Sequence, residues 1–184
     1  MTDFDLDMHI LSLLEKEPFF AAISRHIAKN SSRAIPTAGV RVSSEGFYEM
    51  IYNPDFFEKL PDNQVRGVLI HEFYHLIFDH VTSRMPEGVD KKQWNIATDL
   101  AINSIIGKDS LPDFVCIPGG KNFEDFPLMK ASEYYLELLK QKQQEQEDNG
   151  NGEGEKGDQQ GDAGGAGGQQ FDSHDEWGEG GEDS

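Results

Sequence analysis

The chain has 184 residues, a formal net charge of -18 and one cysteine. That length allows one domain with appendages, and a single thiol excludes an intramolecular disulfide, which suits a reducing compartment. Such acidity repels nucleic-acid phosphate and anionic membranes, and no apolar run reaches the ~18 residues that cross a bilayer, so neither partner is expected.

The charge is uneven. From Glu145 to Ser184, 13 acidic residues and one lysine carry -12, leaving an ordinary -6 on the first 144. The acidic N-terminus has no positive stretch ahead of an apolar core, so no secretory leader is expected and a cytoplasmic location follows.

Asp5 to Lys16 places Leu6, Ile10, Leu13 and Leu14 at helical spacing, and Pro18 opens a second helix predicted to run through Ala28. Asn30 to Arg33 reads as a loop. Val40 and Val42 alternate in a short strand from Gly39 to Ser43; a turn at 43–46 leads into a second strand, Phe47 to Tyr52, as a hairpin. Asn53-Pro54-Asp55 stops the strand and starts a short helical piece. Asp62 or Asn63 is the expected cap of a long helix to about Arg84, apolar nearly all round through Val65, Leu69, Phe73, Leu76, Ile77 and Val81, and therefore central. Lys91 to Ile106 is a further helix, closed by Gly107. A Pro/Gly loop from Leu111 to Phe126 precedes a last helix, Leu128 to Gln144. The domain expected is 1–140, α+β and mostly helical, with a small sheet or hairpin before the long helix. Residues 141–170 read as a disordered acidic Gln/Gly-rich linker, and 171–184 as an acidic tail whose Phe171 to Trp177 island is a candidate docking motif.

The central helix carries His71-Glu72-Phe73-Tyr74-His75. Successive helical residues advance about 100°, so His71 and His75 leave one face about 40° apart and can grip one metal ion, with Glu72 beside them. A catalytic zinc takes three protein ligands and keeps a position for water, which a nearby carboxylate deprotonates. This pattern points to one Zn2+ per chain, with Glu72 as general base. For the third ligand, Asp99 is preferred. Asn95, Asp99 and Asn103 stand four apart on an otherwise apolar helix, and a buried charge there needs a partner. The two asparagines then act from outside the ligand set. His80 lies about 180° from His71 on a continuous helix, and His174 requires the tail to fold back; both are weaker alternatives. Cys116 has no histidine at a spacing that suggests a nucleophile. Tyr48, Tyr52, His26 and Arg84 are candidate oxyanion stabilisers, and Phe47 to Tyr52 is a candidate edge for an extended peptide substrate.

Four ordered stretches, Ile35–Val40, Tyr52–Phe57, Leu69–His75 and Trp94–Asn103, resemble the Putative metallopeptidase domain of bacterial and phage proteins, which in many members precedes a von Willebrand factor A-like domain. Asp172 to Trp177 resembles an Asp-His-x-x-Trp element carried after a low-complexity linker. The resemblance implies a zincin-like fold, a metal at His71 and His75, Glu72 as base, peptide or protein substrates, and as partner a separate von Willebrand factor A-like protein or one engaged by the tail. The competing readings are a non-catalytic, metal-stabilised interaction module and an acidic decoy that mimics nucleic acid.

Overall fold

The computed structural model describes residues 4–150, with side chains to residue 146. The expectations for residues 151–184, including His174 and the Phe171 to Trp177 island, lie outside the described residues. Two helices, α1 (Leu6–Lys16) and α2 (Pro18–Ser24), lead into three strands, β1 (Ile27–Ser31), β2 (Ala38–Val42) and β3 (Tyr48–Tyr52). The short α3 (Pro54–Phe57) and the long α4 (Asp62–Ile77) and α5 (Lys91–Ile106) follow, then a 3-10 turn (Lys108–Ser110) and α6 (Ser132–Gly150). The architecture is α+β, with the small sheet ahead of the histidine-bearing helix. Among the described residues no helix is long and apolar enough to cross a membrane.

Several boundaries differ from the sequence reading. The helix predicted through Ala28 stops at Ser24, and Ile27–Ser31, part of which read as loop, forms β1. Its register is parallel, Ile27 opposite Tyr48 and Ser31 opposite Tyr52. Only a distant partner makes that short polar segment a strand, so local propensity could not reveal it. β2 and β3 are the expected hairpin, antiparallel with Val40 opposite Met50. Gly46 takes φ 84° in the connecting turn.

α4 begins after Pro61 with no side-chain cap, so neither Asp62 nor Asn63 caps it; Asp62 sits in the first turn. It ends at Ile77, seven residues before the predicted Arg84. Asp79 enters the left-handed region at φ 59°. Its N–H donates to the Leu76 carbonyl at 3.2 Å, and the His80 N–H donates to the His75 carbonyl at 2.9 Å. These crossed bonds form a Schellman closure, with aspartate where glycine is usual. α6 starts at Ser132 rather than Leu128 and continues to Gly150, through ten residues that composition assigned to the linker.

The core has two parts. Leu13, Phe20, Val40, Met50, Phe57, Val68, Leu69 and Phe73 pack α1, α2 and the sheet on one side of α4. Trp94, Ala97, Leu100, Cys116, Tyr135 and Leu136 join α5, the following loop and α6. The polar residues of the motif lie between these two apolar blocks.

Candidate metal centre

α4 and α5 bring His71, His75 and Asp99 together, each with one candidate ligand atom within 4.8 Å of the others. The Nε2 atoms of the two histidines are 3.1 Å apart. Asp99 Oδ1 lies 3.5 Å from His71 Nε2 and 3.3 Å from His75 Nε2. The helix supplies the first distance through its four-residue spacing. The second and third need α5 packed across α4 with Asp99 on the contacting face.

All three side chains are at most 1% exposed. Burial alone would push the Asp99 carboxyl up, but the two imidazoles facing it, His71 first, hold it below the usual carboxylate range. Neither Asp99 oxygen has a conventional hydrogen bond among the described residues. A buried carboxylate left so is costly unless a cation completes its surroundings. Glu72, also buried, follows His71 on the same turn of α4.

The donor set fits a divalent ion. Zinc–ligand bonds of about 2.0–2.1 Å at tetrahedral angles put neighbouring ligand atoms about 3.4 Å apart, whereas right angles put them about 2.9 Å apart. The observed 3.3 and 3.5 Å fall nearer the tetrahedral value, and 3.1 Å lies between the two.

Asn103, on α5 one turn beyond Asp99, is fully buried, with its Oδ1 2.8 Å from His71 Nδ1. Asn95, one turn before Asp99, is buried as well, and its main-chain carbonyl accepts from Thr98 Oγ1 at 2.8 Å. His80 is not in the cluster. The chain reversal at Asp79 stacks its ring edge against His75 with centroids 5.3 Å apart, and its Nε2 lies 3.0 Å from Ser132 Oγ on α6. Burial, helped by Arg84, lowers its pKa to about 3, so the ring is neutral. Its main-chain carbonyl accepts from Trp94 Nε1 at 3.2 Å, which ties the end of α4 to α5.

The oxyanion candidates are dispersed. Arg84 forms a two-pronged pair with Glu133 at 2.8 and 3.0 Å. The Tyr52 ring packs on Phe4 and Phe57, while Tyr48 and His26 are exposed. The Cys116 thiol is buried and pushed up to about 12, by burial first and then by the charge of Asp99, so it is no nucleophile. What the sequence reading missed is the Cys116 main chain. Its carbonyl accepts from Asn103 Nδ2 at 2.7 Å. A carbonyl acceptor leaves no mark in side-chain spacing.

The fold and site together define an α+β domain built around a buried His-His-Asp cluster compatible with metal binding. Residues 3–184 match the family described as Putative metallopeptidase domain, and the chain belongs to that family. It is also similar to an uncharacterized protein of Thermotoga maritima, 28% identical over 97 residues. That stretch is 53% of this chain and 24% of the relative, so the chain spans only a minor part of the relative's length. No solved structure matches.

Proposed function

We propose that the protein is a zinc-dependent metallopeptidase, with His71, His75 and Asp99 as ligands and Glu72 as general base. The observation that carries this reading is the triangle of 3.1, 3.3 and 3.5 Å between the three ligand atoms. Zinc held there supplies Lewis acidity towards water and a peptide carbonyl. Glu72 takes the proton of the attacking water on its carboxylate and hands it to the departing amine nitrogen. Burial removes competing water from these charges, which strengthens their effect on each other.

The substrate edge expected at Phe47 to Tyr52 is revised, because β3 is the central strand, between β1 and β2. β2 is an edge strand whose Ala38 and Val40 are buried on the α4 side of the sheet. Thr37 and Ser43 bond across to Asn53 and Phe47. The alternation therefore turns the main-chain groups of Ala38, Val40 and Val42 away from β3, where an extended peptide would add as a strand.

The test starts with elemental mass spectrometry of tag-free protein. About one zinc per chain is expected, lost in His71→Ala, His75→Ala and Asp99→Ala and kept in His80→Ala and His174→Ala. Glu72→Gln should keep the metal and lose hydrolysis of a quenched-fluorescent peptide library. A chain that stays metal-free after refolding with zinc would overturn the proposal. Equal peptide turnover by wild type and Glu72→Gln would leave a metal-stabilised interaction module.

A further inference from the structure

Asn103 stands between two groups of opposite hydrogen-bonding need. Its amide nitrogen lies 2.7 Å from the Cys116 carbonyl oxygen, and its amide oxygen 2.8 Å from His71 Nδ1. A carbonyl only accepts, so the end of the amide that faces Cys116 must be the NH2. The end left for His71 is an oxygen, which also only accepts. His71 must therefore carry a proton on Nδ1, which leaves Nε2 as its atom for a metal ion. Nε2 is the atom aimed at His75 Nε2 and Asp99 Oδ1.

We propose that Asn103 is a positioning residue: a donor–acceptor adapter through which the Cys116 carbonyl sets the tautomer and ring orientation of His71. The function of the adapter rests on the metal-site reading above. The Cys116 side chain is buried against α5 and α6 with Trp94, Leu100, Tyr135 and Leu136, which holds the carbonyl in place. The second apolar block thus fixes a ligand on the helix across from it. No other short side chain does the same. A carboxylate presents two acceptors and sets an oxygen against the Cys116 carbonyl. Serine is too short to span both partners, and glutamine adds a methylene where Asn103 has no exposed surface.

This separates the adapter from the commoner arrangement, in which a carboxylate orients a metal-bound histidine. If holding the ring were all that mattered, Asn103→Asp would bind zinc at least as well as wild type. The adapter requires that Asn103→Asp and Asn103→Ala both lose about 10- to 100-fold in zinc affinity, measured by competition with a chromogenic chelator on the full chain. Long-range 1H–15N NMR of metal-free wild type at pH 8 should show His71 protonated at Nδ1. That measurement needs no variant and decides the matter if both variants misfold. A His71 with no proton on Nδ1, or wild-type zinc affinity in Asn103→Asp, overturns the adapter. A zinc-binding chain with the wrong tautomer refutes the adapter alone; a chain with the expected tautomer that takes up no zinc refutes the function proposed above.

Discussion

Gly67 lies in α4 one turn before His71, where helix propensity recommends alanine by about 1 kcal/mol. The tertiary contact opposes it. A β-carbon on Gly67 would sit 1.7 Å from the Ser110 carbonyl oxygen and 2.8 Å from its carbon. The obstacle is backbone, so relief requires α4 and the Lys108–Ser110 turn to part by roughly 1.5 Å, since contacts shorter than about 3.2 Å are repulsive. Overpacking of this kind costs about 1–3 kcal/mol, and here a rigid main chain must yield, so the upper end applies and outweighs the propensity gain. A net loss of about 2 kcal/mol lowers the melting temperature by about 4–8 °C for a domain of this size. The shift also moves Leu111, at the start of the loop that carries Cys116, so zinc affinity should fall with stability. Differential scanning calorimetry and chelator competition on Gly67→Ala measure both. A raised melting temperature, as at an exposed helical glycine, would refute the close approach of α4 to the turn.

Two further perturbations probe the end of α4. Asp79→Val should lower stability by about 1–2 kcal/mol, because a β-branched residue resists the left-handed conformation, while Asp79→Gly should hold the urea midpoint within about 0.5 kcal/mol of wild type; equal midpoints for valine and wild type would contradict the Schellman closure. His80 titrates near 6.5 when unfolded and near 3 when folded. The unfolded chain therefore binds the extra proton between those values, and stability falls as pH drops below 6.5, by about 2 kcal/mol at pH 5 from this group. Urea titrations of zinc-loaded wild type and His80→Asn should diverge in slope over that range, and parallel curves would show that His80 is not held neutral.

Much of the site was legible in the chain. The four-residue spacing of His71 and His75 defines a shared helix face without reference to any other element. The Asn95, Asp99 and Asn103 stripe on an apolar helix announces buried polar groups in need of partners. α5 matched its predicted bounds because Gly107, at φ 86°, is a local stop signal, and the structure adds an Asp90 side-chain cap at the start. The hairpin was legible for the same reason: alternation and a turn glycine act within a few residues of each other.

What failed were the features that depend on distant chain. β1 exists because β3 accepts it in parallel register, about 20 residues further on in sequence. The early end of α4 rests on an aspartate in a conformation that few non-glycine residues adopt, and on His80 finding Ser132 and Trp94. The role of Cys116 is carried by a carbonyl that every residue possesses. By itself the sequence determined which side chains share a helix face, because backbone geometry repeats with a fixed period. Only the tertiary structure decided that α5 presents Asp99 to that face at 3.3–3.5 Å, and that a carbonyl beyond it orients His71. Those distances depend on how two apolar blocks pack against α4 from opposite sides, which no local pattern encodes.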